Sequence, residues 1–307
     1  MDDARLADLR NRHYNATISW IRRAHDELMI LRVKPDLPLP AVKPGQYTAL
    51  GLGYWERRVP DCQPETLTEA QKLTLVQRAF SISSPVLEES GAGLFPPENE
   101  DFLEFYVNLV RFAAEGDEAP PFTTRLFCLE EGDRIWISPK ITGHYTLDGL
   151  PADRDALFCA AGTGEAPHNR MIWDLMRRGH RGRLASVVCC RYARDLAYRG
   201  VHERLAELYP RYAYLPMSTR DTAGPKRYIQ DLILSGELER ATGLALDTQR
   251  THVYLCGNPA MIGIPLERDG TEVYPTPRGV IEILETRHGF RGDRRGAPGN
   301  IHYEKFW

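Results

Sequence analysis

No stretch of the sequence is apolar for long enough to cross a bilayer, and the N-terminal residues MDDARLADLRNRHYN lack the apolar core of a signal peptide. Nor is there a large excess of charge of one sign, because the formal net charge is −3. Such a balance argues against a protein that binds nucleic acid through bulk positive charge. We therefore expect a soluble cytoplasmic protein without a membrane or nucleic-acid partner.

Cysteine is present, but not in a pattern that builds a site. The six cysteines form no CxxC pair and show no spacing typical of metal ligands. They are Cys62, Cys128, Cys159, Cys189, Cys190 and Cys256. This distribution is typical of reduced thiols in a cytoplasmic protein, and it predicts neither a bound metal nor an iron–sulfur cluster in the chain.

Short stretches of strand character recur through the N-terminal half, separated by turn sequences such as Lys43-Pro44-Gly45-Gln46. We predict strands at residues 17–21, 27–33, 47–52, 73–82, 103–110 and 134–138. About six short strands without long helices between them favour an antiparallel β-barrel. Two segments rich in proline, glycine and acidic residues, 54–69 and 85–100, are expected to be surface insertions.

The pattern changes after Leu150-Pro151, where compact apolar runs alternate with helical patterns. The apolar runs are 155–161, 184–190, 212–217 and 251–256, and the helical patterns are 166–178, 195–208 and 228–234. Alternating strands and helices predict a parallel, Rossmann-like sheet whose ligands bind at the carboxyl ends of the strands. We therefore predict two domains in these 307 residues, 1–152 and 153–307.

A glycine turn, Gly162-Thr163-Gly164-Glu165-Ala166-Pro167, follows the first apolar run and opens a helix. Glycines allow a close backbone approach, and a helix N-terminus offers N–H groups to phosphate; the alternative is a plain strand–turn–helix connection. The next strand ends at Arg191 rather than at an acidic residue, which favours a 2′-phosphate and hence NADP over NAD. Arg220, Lys226 and Arg227 are expected at the same edge of the sheet.

Three further motifs stand at ends of elements. Arg78-Ala79-Phe80-Ser81 ends a predicted strand, where an arginine, an aromatic ring and a hydroxyl suit a flavin dinucleotide but are also ordinary turn residues. Cys256-Gly257 could admit a flat nicotinamide or could be a buried structural pair. The C-terminal Phe306 and Trp307 are either the end of a strand or a cover for a cofactor.

In this order along the chain, the segments PGQY, RAFS, LEFY, GHYTLD, GTGEAP, CRYARDLAY, STRDT, LSGELER and CGNPAM resemble the bacterial branch of the ferredoxin/flavodoxin–NADP reductase family. The resemblance covers nearly the whole chain. It implies an FAD-binding six-stranded barrel over 1–152 and an NADP-binding domain over 153–307. It also implies hydride transfer between NADP(H) and FAD, coupled to one-electron exchange with a ferredoxin or flavodoxin. We expect a monomer.

The resemblance assigns two sets of binding residues. Those expected at FAD are Arg78, Ala79, Phe80, Ser81, Tyr106, Val107, Asn108, Phe122, Thr123, Thr124, Thr163, Phe306 and Trp307. Those expected at NADP(H) are Gly164, Arg191, Tyr192, Thr219, Arg220, Lys226, Arg227, Cys256, Gly257 and Asn258. Ser81, Cys256 and Trp307 are the residues expected beside the reacting atoms, with Ser81 near flavin N5.

The chain departs from the family pattern at two of these motifs. Phe80 stands where the family usually has tyrosine, so that ring stacking survives and a hydroxyl contact is lost. Glu165 stands where an apolar residue is common, and it either adds negative charge near a pyrophosphate or caps the helix. Two alternatives stay open: a related reductase that serves another acceptor, and a flavin-free NADP-binding sensor.

Overall fold

The computed structural model of the chain describes residues 2–221, 224–294 and 296–306. Its contacts divide the chain into two compact units. Unit 1 comprises Met1–Ser84 and Pro96–His144, and unit 2 comprises Pro85–Phe95 and Tyr145–Trp307. Within the described residues, none of the helices has the length and apolar character needed to span a membrane.

Unit 1 is built on a six-stranded antiparallel sheet. Its elements are α1 Asp3–His13, β1 Ala16–His25, β2 Leu28–Pro35, β3 Tyr47–Gly53, β4 Leu75–Ser81, β5 Leu103–Asn108, α2 Thr123–Leu126 and β6 Arg134–Ile137. The strand order is β4-β3-β6-β1-β2-β5. Ser83 N donates to Glu104 O at 2.8 Å, and this bridge joins the chain just after β4 to β5. The six predicted antiparallel strands are confirmed. Their closure into a barrel stays a prediction, which this single bridge supports.

The core of unit 1 lies on one face of this sheet. Ile18, Leu31, Leu50, Phe105 and Ile135 come from five different strands, and all of them are fully buried in one apolar cluster. Because side chains alternate between the two faces of a strand, this shared face fixes the register of the sheet.

Segment 54–69 was expected to be a surface insertion, but the Glu56 side chain is buried and the Glu65 side chain is only 11% exposed. Arg125, which is 2% exposed, donates to both oxygens of Glu65 at 3.2 and 2.6 Å and to Tyr54 O at 3.0 Å. Glu56 is 6% exposed and accepts from Tyr14 Oη at 2.9 Å. The segment is therefore part of the packed body of unit 1, because buried charges need partners that only this body supplies.

Unit 2 is a five-stranded parallel sheet with helices packed on it. Its elements are β7 Asp155–Ala161, α3 Glu165–Arg177, β8 Leu184–Cys190, α4 Arg199–Leu208, β9 Tyr212–Ser218, α5 Ile229–Leu234, α6 Glu237–Thr242, β10 Thr251–Gly257, α7 Pro259–Ile262, β11 Leu266–Arg268, β12 Thr271–Val273, α8 Val280–His288 and β13 Ile301–Lys305. The order is β13-β10-β7-β8-β9, and β11 and β12 form a separate hairpin. The predicted parallel α/β sheet is confirmed.

Alternate residues of the central strand β7 belong to two different cores. Leu157 and Cys159 lie in the cluster on one face, whereas Ala156 and Phe158 lie in the cluster on the other. Burial on both faces explains why these strands are continuous apolar runs in the sequence.

The second expected insertion, 85–100, is divided between the units. Residues 85–95 belong to unit 2, because Val86 and Leu87 are buried in the same cluster as Phe158 and because Phe95 O accepts from Trp173 Nε1 at 2.9 Å. The chain returns to unit 2 at Tyr145, whereas the sequence-based boundary was placed after residue 152. Tyr145 and Leu147 are buried in that cluster, which accounts for the difference.

The ion pair in segment 54–69 gives a stability prediction. Glu65→Ala leaves the buried Arg125 guanidinium without its carboxylate and is expected to lower the free energy of unfolding by about 3 kcal/mol or more. The matched control is Glu69→Ala, because the Glu69 side chain is 90% exposed and pairs with Lys72 at the surface. The control should change stability by no more than about 0.5 kcal/mol in urea unfolding. Equal effects of the two variants would contradict the structural role given to Glu65.

Candidate functional site

Residues 78–81 form the last part of β4 in unit 1. The Arg78 side chain is exposed, and its Nη1 donates to Gln77 O at 2.9 Å. Phe80 is half-buried, with its ring centroid 5.4 Å from Phe122 and 6.5 Å from Phe105. Ser81 is 8% exposed and pairs with Tyr47 of β3. An exposed guanidinium and the edge of an aromatic wall therefore share one strand, with Ala79 exposed between them.

The two threonines of α2 use their hydroxyl groups within unit 1. Thr123 Oγ1 accepts from Val110 N at 3.0 Å, and Thr124 Oγ1 accepts from Arg58 Nε at 3.1 Å. Thr124 is fully buried and Phe122 is 1% exposed. A ligand at α2 would therefore meet Thr123, which is half-buried, and the backbone more readily than the Thr124 side chain.

Strand β5 carries the other predicted residues of unit 1. Tyr106 and Val107 are 4% and 2% exposed, and Asn108 at the end of the strand is exposed. Tyr106 pairs with Ile30 and Val107 with Met29 of β2. Of the three, Asn108 has the side chain most open to a ligand.

In unit 2, the glycine turn lies directly against the end of β10. A Cβ built on Gly164 would lie 2.3 Å from Cys256 O and 2.9 Å from Gly257 Cα. A Cβ on Gly257, whose φ is +116°, would lie 2.4 Å from Ala161 O. Two backbones that approach this closely at the carboxyl ends of adjacent parallel strands, β7 and β10, leave no room for side chains. Such an arrangement is typical of a cradle for a flat or phosphorylated ligand.

The glycine turn also supplies the start of α3. Gly162 has φ of +57°, Thr163 is 6% exposed, and Gly164 occupies the N-cap position, where it has no side chain to satisfy the first N–H groups of the helix. Helix α3 is 13 residues long. Its N-terminal N–H groups and dipole favour an anion at this turn.

The ends of β8 and β9 bring together four predicted residues. Arg220 N donates to Arg191 O at 2.9 Å, and Thr219 N donates to Cys190 O at 3.0 Å. The two segments that follow β8 and β9 therefore stay paired beyond the strands. The Arg220 guanidinium carbon lies 5.8 Å from the centroid of the Tyr192 ring. Arg191 and Arg220 are both exposed. This edge therefore offers two cations and an aromatic face to an anionic ligand.

Lys226 and Arg227 were also expected at this edge, at the opening of a helix. Helix α5 begins only at Ile229, and both residues precede it in an exposed segment. Arg227 forms an ion pair with Glu237 at the start of α6. Its charge is therefore partly compensated within the chain, and its contact with NADP stays a prediction.

Acidic side chains lie beside the same edge. Asp195 Oδ2 accepts from Tyr192 N at 3.0 Å, and Asp221 Oδ2 accepts from Ala193 N. These carboxylates hold the backbone of the loop after β8, and Asp195 Oδ1 also lies 4.0 Å from Arg194 Nε. The sequence placed no acidic residue at the end of β8, and the sequence position of Asp221 gave no sign of this contact.

Cys256 and Asn258 belong to the end of β10. The Cys256 thiol is fully buried, and burial raises its pKa well above the ordinary value. It is therefore an apolar group rather than a nucleophile. Asn258 is exposed, and its Oδ1 accepts from Ala260 N at 2.8 Å, which caps α7.

The C-terminal segment is the edge strand β13. Lys305 pairs with Gly257, and Phe306 N donates to Gly257 O at 3.0 Å. Phe306 is half-buried and packs against the apolar cluster that contains Phe158. Strand β13 ends at Lys305, and Phe306 directly follows it. The expectation that Phe306 covers a cofactor stays a prediction, and the expectation for Trp307 lies outside the described residues.

A buried polar cluster beside the glycine turn was missed by the sequence reading. Glu165 and His202 are both fully buried, with Oε1 and Nε2 3.3 Å apart. His202 also contacts Asn169 Oδ1 at 2.9 Å and Tyr212 Oη at 2.6 Å. Glu165 therefore neither caps α3 nor faces the turn as an open charge. The spacing of Glu165, His168 and Asn169 (i, i+3, i+4) was the available sign that they share one helix face.

His168 is the second histidine of this region. Its Nε2 lies 2.7 Å from Tyr145 Oη, and burial lowers its pKa to about 3, with His202 a smaller cause. His168 is therefore a neutral, buried side chain.

Comparison with known proteins identifies relatives of this chain and chains that share its fold. A family profile described as the oxidoreductase NAD-binding domain matches residues 158–265. The flavodoxin/ferredoxin–NADP reductases of Shigella flexneri and Escherichia coli (strain K12) are each 31% identical over 252 residues, covering 80% of this chain and 85% of each relative. A ferredoxin NADP+ reductase from Neisseria gonorrhoeae, solved with bound FAD and NADP, shares the fold with a TM-score of 0.68 and 19% identity, over 95% of this chain and 98% of that one.

The close approach at Gly164 gives the second prediction. Gly164→Ala forces a methyl group into the Cys256 carbonyl and is expected to destabilise the protein by about 2 kcal/mol or more. The matched control is Gly200→Ala, because a Cβ on Gly200 in α4 meets no atom within 4 Å. Alanine there should be neutral or stabilise by up to about 1 kcal/mol. Urea unfolding of both variants measures the difference, and a neutral Gly164→Ala would contradict the packing.

His168 gives a prediction on pH. Its pKa is about 3 in the folded protein against an ordinary value of 6.5, so the unfolded chain binds more protons below neutrality. Stability from this group is present above pH 6.5 and is lost as the pH falls, by about 2 kcal/mol between about pH 7 and about pH 5. His168→Gln should remove that part of the pH dependence, whereas His144→Asn, at an exposed position, should leave it unchanged. Parallel curves for wild type and His168→Gln would contradict this account.

Proposed function

Because the chain belongs to the flavodoxin/ferredoxin–NADP reductase family, we propose that it passes electrons between NADP(H) and a small ferredoxin or flavodoxin through bound FAD. The observation that carries the proposal is the glycine turn, which packs against Cys256-Gly257. In the same sheet, β8 and β9 are followed by the exposed Arg191 and Arg220. A sheet edge of this kind suits a phosphorylated dinucleotide.

FAD is the cofactor, and when bound it supplies the exchange between two-electron hydride transfer and one-electron steps. We propose that unit 1 holds it mainly through residues 78–81. The Arg78 guanidinium is exposed and can bind a pyrophosphate, although its Nη1 also donates to Gln77 O. The half-buried Phe80 ring can stack on the flavin. Asn108 and the backbone at Thr123 add polar contacts, and Tyr106, Val107, Phe122 and Thr124 act by shaping the site, because they are buried.

NADP(H) is the second ligand, and we propose that unit 2 binds it. Gly164 presents its backbone N–H group to the pyrophosphate, and Arg191 and Arg220 hold the 2′-phosphate. Thr163, in the same turn, stays proposed at FAD. Tyr192, which already lies near Arg220, stacks on the adenine, and Thr219 fixes the backbone of the arginine edge. Lys226 and Arg227 contribute at longer range.

Two residues are proposed beside the reacting atoms. Ser81 Oγ donates a hydrogen bond to flavin N5, which orients the ring for hydride transfer. Cys256 acts through its buried bulk and its backbone, and Gly257 and Asn258 leave the nicotinamide room to approach. Phe306 and Trp307 are proposed to cover the flavin and to limit access of the nicotinamide.

We further propose that the enzyme works as a monomer in the cytoplasm. The test of the function is an anaerobic titration of the FAD-loaded protein, first with NADPH or NADH and then with candidate ferredoxins and flavodoxins. NADPH should bleach the flavin spectrum faster than NADH, and the reduced protein should pass electrons to one of these carriers. Bleaching without transfer would favour a reductase for another acceptor, and a protein that cannot be loaded with FAD would exclude the proposal.

The arginine edge gives a prediction on cofactor choice. Arg220→Ala is expected to lower kcat/KM for NADPH by roughly 10- to 100-fold, because one charge-assisted contact to the 2′-phosphate is lost, and to leave kcat/KM for NADH nearly unchanged. The matched control is Arg194→Ala, since Arg194 lies over the same Tyr192 ring, at 5.0 Å, and its side chain is 69% exposed. Equal losses with NADPH and NADH would contradict the role of Arg220.

A further inference from the structure

The buried pair Glu165–His202 poses a charge problem beside the glycine turn. Glu165 is the first residue of α3, and neither of its carboxylate oxygens makes a hydrogen bond to another described residue. His202 Nε2 lies 3.3 Å from Glu165 Oε1. A buried carboxylate without a compensating charge is costly, and a negative charge here would also oppose an anion at the start of the helix.

The surroundings of His202 determine where protons sit on its ring. Its Nε2 faces two oxygens, Glu165 Oε1 and Asn169 Oδ1, so Nε2 carries a hydrogen. Its Nδ1 faces the Tyr212 hydroxyl at 2.6 Å, which can either donate or accept. The ring can therefore hold a second proton without losing a hydrogen bond.

Other groups near the pair do not offer that proton. His168 is neutral because burial lowers its pKa to about 3, and burial together with Glu165 raises the pKa of the Cys190 thiol. The titratable groups of the described residues that face the pair are His168 from α3, Cys190 from β8, Tyr212 and Tyr214 from β9, and Tyr198, which precedes α4. Asp195 also raises the pKa of the Cys190 thiol.

We propose that Glu165 and His202 share one proton, so that the pair has no net charge and the first turn of α3 can accept the pyrophosphate of NADP(H). His202 is thus a positioning residue: it does not touch the ligand, and it makes a glutamate at the start of α3 compatible with an anion. The inference rests on the proposed function, because it concerns the nucleotide site of unit 2.

The pair also couples three elements of unit 2. Glu165 begins α3, His202 lies in α4, and Tyr212 begins β9, the strand that ends near Arg220. The Tyr214 ring stacks on His202 with centroids 4.8 Å apart. Neutralisation and packing are therefore both possible roles for His202, and an experiment must separate them.

A double-mutant cycle on the FAD-loaded full chain separates the two roles. The variants are His202→Gln, Glu165→Gln and the double variant, and the readout is the Kd of NADP+ by calorimetry between about pH 6.5 and about pH 8.5. Glutamine at position 202 keeps an N–H donor but cannot hold a positive charge. Thermal unfolding of each variant monitors folding.

We expect His202→Gln to weaken NADP+ binding tenfold or more, because the buried carboxylate then has no compensating charge. The double variant should return to within about threefold of wild type, because the charge itself is gone. A double variant that binds as weakly as His202→Gln, or a His202→Gln variant that binds like wild type, would overturn the proposal.

Glu165→Gln alone gives an independent answer if His202→Gln does not fold. A neutral native pair predicts little change in the Kd of NADP+, whereas a tenfold gain in affinity would show that native Glu165 carries an uncompensated charge and would refute the inference. Wild-type protein that neither binds NADP+ nor is reduced by NADPH would instead remove the proposed function, so the two failures are distinguishable.

Discussion

The contact between two backbones at the carboxyl end of the parallel sheet is the constraint on which the nucleotide site depends. Gly164 and Gly257 have no side chains, and each would place a Cβ within about 2.5 Å of the opposite chain. This approach fixes the start of α3, and with it the N–H groups that face an anion. It also fixes the path of β10 into Cys256-Gly257, and β13 pairs with that strand as far as Lys305. Any side chain at either glycine would move all of these parts together.

The fold was largely predictable because the strands of both sheets have recognisable patterns of apolar residues in the sequence. Strands buried on two faces, such as Asp155–Ala161 and Leu184–Cys190, appear as unbroken apolar runs, and the runs are joined by helical patterns. Some of the elements that escaped prediction have no such pattern. Helix α1, Asp3–His13, has no buried residue, and β11 and β12 are strands of three residues. The assignment of 85–95 to unit 2 depends on long-range packing of Val86 and Leu87, which no local pattern reveals.

The site was predictable where a local motif determines the backbone, and less so where side chains meet across the fold. The glycine turn and the ends of β8 and β9 follow from strand order, so Arg191 and Arg220 were placed at one edge correctly in advance of the structure. Lys226 and Arg227 were assigned to that edge because they were expected to open the next helix, which begins only at Ile229. Arg227 pairs with Glu237, and its contact with NADP(H) stays a prediction. Glu165 and His202 are far apart in the sequence and meet only in the folded core. The sequence alone therefore left Glu165 as an apparently uncompensated charge.

Hydrogen–deuterium exchange of the FAD-loaded protein with NADP+, compared with NAD+, tests the central claim most directly. If the glycine turn and the arginine edge form one nucleotide site, NADP+ should slow exchange of backbone amides at residues 162–166, 191–193, 219–221 and 256–258. NAD+ at equal occupancy should protect the glycine turn and the end of β10 but leave the arginine edge exchanging freely. Protection by NADP+ that leaves residues 162–166 unchanged, or equal protection of the arginine edge by both nucleotides, would contradict the account.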